Sequence, residues 1–406
     1  DVVEDVVEDV VEDVVEDVVE DVVEDVVEES AFSKLNNVRL LIGAHKYSNN
    51  SIYWEYGNRK LSNRHVVITG KSGQGKTYFI QTLLAELSNN KINSLILDYT
   101  DGFLENKLDK VFIHNYKNKI NTKIIYRDKL PINPFKRQTI SIGDINMLET
   151  VEDMVNRVVQ SIDFVFNLGP QQETILAETI KEDIFVYEDK YSFSILKDNL
   201  INSGENSKSN LYGRIRSLVE QDRFSYDSNF DWSQIFSNSG DIHIFQFSGL
   251  QKNIQQIMIE FLLWDILQYA KTGNELKPMP IVLDEIQNLR FSYDSPIVKV
   301  LREGRKYGLS GIFATQSLTS IKGSDTEAIF NVAEQVHFLP TDNQVVEISK
   351  MITTNKMDRE NIEKELKNLK ISEAIVYGPI LDPNGNLSPP KLFAVKVDSF
   401  GSRLNC

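Results

Sequence analysis

The octapeptide GKSGQGKT, Gly70 to Thr77, sets three glycines ahead of a lysine and a hydroxyl. It fits G-x-x-x-x-G-K-[ST], and it sits between the apolar run HVVIT and a helical pattern from Gly75 to Leu87, the context in which such a turn binds phosphate. Glycines let the backbone wrap closely, so the N–H groups of Gly70, Ser72, Gly73, Gln74 and Gly75, with the helix start through Lys76, Thr77 and Tyr78, face an anion. Lys76 brings a positive charge to the β- and γ-phosphates, and Thr77 offers a hydroxyl to Mg²⁺. The implied ligands are ATP and Mg²⁺.

A nucleotide site of this kind needs an acid pair at the end of a buried strand, and PIVLDEIQNL supplies Asp284 and Glu285. Asp284 is placed to hold Mg²⁺, often through water, and Glu285 to polarise the attacking water. DEIQ also echoes a helicase box. Only about 120 residues follow Glu285, fewer than the ~150 of a second lobe, and no Q-x-x-G-R-x-x-R or L-S-G-G-Q arrangement is present. One RecA-like lobe per chain leaves the far side of the phosphates to be neutralised by a neighbour in a ring. LREGRKYGLSGIFATQ, residues 301–316, holds the candidates: Arg302 and Arg305 at a helix end, and Gln316 at the tip of the following strand, within reach of the γ-phosphate or the lytic water. The bland alternative for the arginines is a solvated helix end favoured by the helix dipole.

The elements that must position these groups alternate. VRLLIG, SIYWEY, HVVITG and SLILDYTDGF read as strands, and KVFIH and KIIYR as short ones. From about Gly143 to Glu220 the period becomes helical. Strand patterns return at IHIFQFSGL, MPIVLDEI, SGIFATQ, QVHFLP, EAIVYG and KLFAVKV, with helices at 251–271 and 296–307 between them. Buried strands alternating with helices specify an α/β fold: a RecA-like P-loop NTPase with a mainly parallel central sheet and a helical insertion. The expected organisation is a DVVE repeat over 1–29, the first part of the core over 30–142, the insertion over 143–225, and the second part of the core over 226–406.

The formal charge of -15 comes almost entirely from the repeat; without its acids the chain carries 45 carboxylates against 44 cations. A near-neutral body neither demands nor excludes nucleic acid. The repeat keeps no helix or strand period and reads as a solvated low-complexity tail. Cys406 is the single cysteine, so no intrachain disulfide forms, and a reducing, cytoplasmic setting is expected. The run IMIEFLLWDILQYA is broken by Glu260 and Asp265 and is shorter than the ~20 residues of a membrane span. The repeat is already under way at Asp1, which suggests a fragment of a longer chain.

ITGKSGQGKT, LILDYTDGF, VLDEIQNL and GRKYGLSGIFATQ, in this order and with a helical insertion between the second and third, resemble the HerA/FtsK superfamily of DNA-pumping ATPases over roughly residues 36–400. LREGRKYG, ATQ and HIFQFSGL are most similar to the C-terminal ATPase module of the DptH (DndH) family of DNA phosphorothioation-dependent restriction proteins. The resemblance implies a homo-hexameric ring with duplex DNA in its pore, Lys76 and Thr77 at the nucleotide, and Asp284 and Glu285 at Mg²⁺ and water. It also implies Gln316 as sensor and an arginine near Arg305 as finger. Asp98 and Asp101 match the acidic second-strand motif, with loop capping as the alternative. Lys252, Arg214, Arg216 and Lys322 are candidate pore bases. The expected activity is DNA translocation or remodelling in a restriction or phage-defence complex whose nuclease is a partner protein. The alternatives are a conjugation- or secretion-type coupling ATPase and a nucleotide-dependent assembly switch.

Overall fold

The computed structural model describes residues 35, 38–142, 145–226, 230–272, 277–321 and 326–403; the DVVE repeat, Lys322 and Cys406 lie outside them. The strands in chain order are β1 Leu40–His45, β2 Ser51–Trp54, β3 Val66–Thr69, β4 Ser94–Asp98, β5 Ile120–Ile124, β6 Thr139–Ile142, β7 Ile145–Leu148, β8 Ile242–Gln246, β9 Met279–Leu283, β10 Leu309–Thr315, β11 Glu334–Phe338, β12 Glu373–Gly378 and β13 Lys391–Lys396. All but β6 and β7 join one eleven-stranded sheet in the order β2-β1-β13-β12-β11-β3-β10-β9-β4-β8-β5. From β11 to β5 every neighbour is parallel, and β12, β13, β1 and β2 extend the sheet antiparallel.

The apolar runs are continuous where the sheet is covered on both faces. Every residue of β3, β4, β9 and β10 is buried. Alternate side chains enter two cores: Val66, Ile68, Ile96, Val282 and Ile312 on one face, and Val67, Leu95, Leu97, Leu283 and Phe313 on the other. On the first face lie α1, Lys76–Asn89, and α2, Lys110–Tyr116. The second core continues through α3 Val151–Phe166, α4 Pro170–Tyr187, α5 Phe193–Asn202, α6 Asn206–Glu220, α7 Lys252–Thr272 and α8 Pro296–Glu303. Helices α9 Asp342–Ile352, α10 Lys356–Lys367 and α11 Phe400–Arg403 complete the set in chain order among the described residues.

Three local expectations are corrected. KVFIH is the helix α2, because Asp109 caps it, accepting from Val111 N at 2.8 Å and Phe112 N at 3.3 Å, and because Phe112 and Tyr116 pack one turn apart with ring centroids at 5.2 Å. The strand read at KIIYR lies earlier, at β5, and the chain turns where Arg127 N bonds Ile124 O at 3.0 Å. The helical stretch read from Gly143 is preceded by an antiparallel β6–β7 hairpin, whose Thr139, Ile140, Ile142 and Ile145 are β-branched. Helix starts at Val151, where Thr150 accepts from Asp153 N at 3.0 Å. A bidentate Arg157–Glu149 pair, both side chains 8% exposed, ties the hairpin base to α3.

Candidate functional site

The phosphate turn occupies residues 70–75 between β3 and α1. Gly70 has φ 144°, and a Cβ there would stand 2.7 Å from the Cβ of Phe338 on β11, so only glycine lets the turn leave the sheet beside that strand. Gly75 caps α1 in the left-handed region at φ 110°. Gly73 is likewise left-handed, Ser72 is exposed on the lip, and Gln74 offers its carbonyl to Ser372 N at 3.2 Å. Lys76 is 8% exposed and folds back into the turn, donating to Gly70 O at 2.6 Å and Lys71 O at 3.0 Å. Burial pulls its ammonium below the usual lysine range, against the opposing charges of Asp284 and Glu285. An arriving phosphate would exchange these carbonyls for charged oxygens, a stronger class of partner.

Parallel register fixes what faces the turn. β10 lies between β3 and β9, pairing Thr315 with Thr69 and Phe313 with Leu283. The polar tip of β10 therefore projects between the phosphate turn and the acid pair. Asp284 follows β9, is 8% exposed, and accepts from Glu285 N at 2.9 Å. Burial, with the charge of Glu285 beside it, pushes its carboxyl up to about 6. A buried acid whose charge is disfavoured by its neighbours fits a bound dication. Thr77 and Asp284 are the side chains that would hold Mg²⁺, which takes few protein ligands and keeps waters and phosphate oxygens as the rest. Bound there, Mg²⁺ would neutralise charge on the phosphates. Glu285 lies in the left-handed region at φ 55°, and its Oε1 accepts from Gln316 Nε2 at 2.7 Å.

Ser72, Lys76, Thr77, Asp284, Glu285 and Gln316 line one cleft of about 440 Å³ with Tyr78, Thr100 and Gly102. The Tyr78 ring meets Phe400 edge-on at 5.1 Å, and its hydroxyl accepts from Phe400 N. A cleft of about 600 Å³ between the hairpin and α7 lies apart from these groups. The motifs do not single out Thr100 and Gly102, which line the cleft, or Gln287 and Thr315, which stand behind Glu285, although Gln287 is only two residues past the glutamate in DEIQ.

Other candidates lie elsewhere. Asp98, wholly buried at the end of β4, accepts from Thr100 N and Oγ1, from Phe103 N at 2.9 Å, and from Gln246 Nε2 at 2.6 Å, so its oxygens close the loop after β4. Asp101 is exposed, 3.9 Å from Lys107. Arg305 sits at the opposite end of β10 from Gln316, with Nη1 3.5 Å from Ser62 O. Seven strand residues put roughly 20 Å between it and its own phosphate turn. Arg302 lies over the Tyr293 ring at 5.2 Å. Lys252, Arg214 and Arg216 are exposed on α7 and α6, and Arg214 donates to Asn167 O. Among the described residues no helix is long and apolar enough to cross a membrane, and no cluster of three or more His, Cys, Asp or Glu forms a metal site.

A glycine-rich turn from a buried strand into a helix, an acid pair two strands away and a polar strand tip between them define a P-loop ATPase with a RecA-like fold. The chain belongs to the family described as Helicase HerA, central domain, which it matches over residues 42–266, more than half its length. It is 23% identical over 398 residues to the probable helicase MJ1565 of Methanocaldococcus jannaschii, covering 90% of this chain and 68% of that one. In fold it is similar to VirB4 of Thermoanaerobacter pseudethanolicus, with TM-score 0.67, 12% identity, and coverage of 90% and 98% of the two chains. It is also similar to the bacterial conjugative coupling protein TrwB, with TM-score 0.56, 14% identity, and coverage of 91% and 92%. TrwB has been solved with ADP and Mg²⁺.

Proposed function

We propose that this chain is an ATP-hydrolysing ring motor that translocates on or remodels duplex DNA. The observation that carries the reading is the convergence of Lys76, Thr77, Asp284, Glu285 and Gln316 on one cleft. Backbone N–H groups and Lys76 hold the phosphates, Thr77 and Asp284 carry Mg²⁺, Glu285 takes the proton of the attacking water, and Gln316 senses the γ-phosphate. Arg305 is too far from its own phosphate turn to act there, so its role is in trans, against the nucleotide of the next subunit; Arg302 flanks it. On this reading a ring, taken as a homo-hexamer, completes the active site. A pore lined by bases such as Lys252, Arg214 and Arg216 would take the phosphodiester backbone. The finer placement, in a cytoplasmic DNA restriction or phage-defence complex with a partner nuclease, is supported by the LREGRKYG…ATQ and HIFQFSGL stretches. A coupling ATPase of conjugation is the second reading, favoured by the fold likeness to VirB4 and TrwB along nearly the whole chain. A pure assembly switch is disfavoured by Glu285, which a switch has no need to aim at water.

The test is ATP turnover of the assembled protein with and without linear duplex DNA, with Glu285→Gln as control. Stimulation by DNA that is lost in the control is expected. Rings that hydrolyse ATP at one rate regardless of DNA would remove the motor reading and leave the coupling reading.

A further inference from the structure

Both carboxylate oxygens of Glu285 are engaged. Gln316 Nε2 donates to Oε1 at 2.7 Å, and Gln287 Nε2 donates to Oε2. The Gln287 amide is itself oriented. Thr315 Oγ1 accepts from Ser317 N at 3.2 Å and has two acceptors in reach for its one proton, Gln287 Oε1 at 2.7 Å and Ser317 O at 3.1 Å; given to the nearer, Gln287, it turns the amide NH₂ to the glutamate. The opposite rotamer would set two acceptor oxygens face to face. Thr315 is fully buried as the last residue of β10, adjacent in sequence to Gln316, whose carbonyl accepts from Gln344 Nε2 at 2.9 Å at the start of α9. One strand tip thus grips the same carboxylate twice, directly through Gln316 and indirectly through Thr315 and Gln287. The grip holds a non-glycine residue at φ 55°, a conformation that persists only where surrounding contacts enforce it.

We propose that Gln287 is a positioning residue for hydrolysis, coupling the aim of the Glu285 carboxylate to the position of the Thr315–Gln316 strand tip. Gln287 does not line the cleft, so it acts on the reaction through Glu285 alone. With both oxygens bonded to amides, the carboxylate is held off the water. When Gln316 turns to a γ-phosphate it frees Oε1 for the water, while Gln287 keeps Oε2 and fixes the direction in which the freed oxygen points. The proposal rests on the reading of Glu285 as the base.

The test compares four substitutions in the full chain. Gln287→Glu is nearly isosteric, keeps the acceptor for Thr315, and replaces the donor by a like charge; Gln287→Ala removes both. Thr315→Val removes the orienting hydroxyl at constant shape, and Thr315→Ser retains it. ATP turnover and affinity for a fluorescent ATP analogue are measured for each. Both Gln287 variants are expected to lower kcat on the order of 10²-fold, the cost of misaiming a catalytic group by about 1 Å, with KM and analogue affinity within about twofold of wild type. Thr315→Val should lose kcat in the same sense and Thr315→Ser should recover it. In single turnovers of Glu285→Gln, adding Gln287→Ala should cost nothing more. Wild-type kcat in Gln287→Glu, equal losses in Thr315→Ser and Thr315→Val, or a further loss in the Glu285→Gln background would each overturn the proposal. Wild-type turnover in Glu285→Gln alone would instead remove the reading of Glu285 as base, a result visible without any Gln287 variant.

Discussion

Asp98 matches an acidic motif of the resembling superfamily, yet its four accepted hydrogen bonds make it a loop cap, and Asp98→Asn separates the two roles. The substitution preserves shape and turns one acceptor oxygen into a donor. If the new NH₂ replaces Oδ2, Phe103 N and Gln246 Nε2 both face a donor. Gln246 can turn its own oxygen inward only by giving up the bond it accepts from Ser248 N at 2.8 Å. If the NH₂ replaces Oδ1, Thr100 N loses its acceptor, and the Thr100 hydroxyl must turn. The first orientation leaves two buried groups unpaired, whereas the second leaves only the N–H of Thr100, an exposed residue, so the amide takes the second and a loss of about 1 to 3 kcal/mol is expected by urea unfolding of the nucleotide-free protein. Turnover of the folded fraction should stay within about threefold of wild type, since Lys76, Thr77, Asp284 and Glu285 keep their places. Destabilisation under about 1 kcal/mol with a loss of kcat near 10²-fold would refute the cap and make Asp98 a participant in the chemistry.

Two further predictions address the ring and the second core. Arg305→Ala should lower kcat by about 10³-fold with ATP affinity nearly unchanged. Mixed rings of Arg305→Ala and Glu285→Gln subunits should regain activity at interfaces that pair an intact arginine with an intact glutamate; no recovery would place Arg305 in a structural role. Glu260 is fully buried against Arg290 at 3.0 Å, and burial pushes its carboxyl up to about 7, against the pull of that arginine. A folded-state value above the ordinary 4.5 means that the folded chain holds this proton more tightly. Its contribution, about 3 kcal/mol, is therefore complete below pH ~4.5 and lost as pH rises through ~7. Glu260→Gln should flatten that part of the stability curve measured by urea between pH 5 and 8, and an unchanged slope would exclude Glu260 as its source.

How much could be read in advance depended on how local each signal was. GKSGQGKT carries its chemistry in eight consecutive residues, and Asp284–Glu285 stand at the end of an apolar run, so both lie where the spacing placed them. KVFIH failed as a strand because one capping carboxylate, Asp109, and an i,i+4 aromatic pair outweighed the propensity of Val111 and Ile113. The hairpin before α3 was hidden because a few β-branched residues next to a long helical period are easily absorbed into it. Strand order was beyond reach, since the pairing that seats β10 beside β3 joins segments more than 200 residues apart, and no local pattern records it. Gln287 and Thr315 were hidden for another reason: each is an ordinary polar residue until the β9–β10 pairing brings Thr315 to the Gln287 amide beside Glu285.

β10 has a mechanical consequence of its own. It is buried along its whole length and pairs with β9 over Leu309–Phe313 and with β3 over Ile312–Thr315, so it cannot slide along its axis without disturbing both ladders. A displacement delivered to its amide end is therefore shared with β3 and β9. Gln316 and the Gly304–Tyr307 turn that carries Arg305 thus flank one buried strand, and the two ladders beside that strand fix the spacing between them.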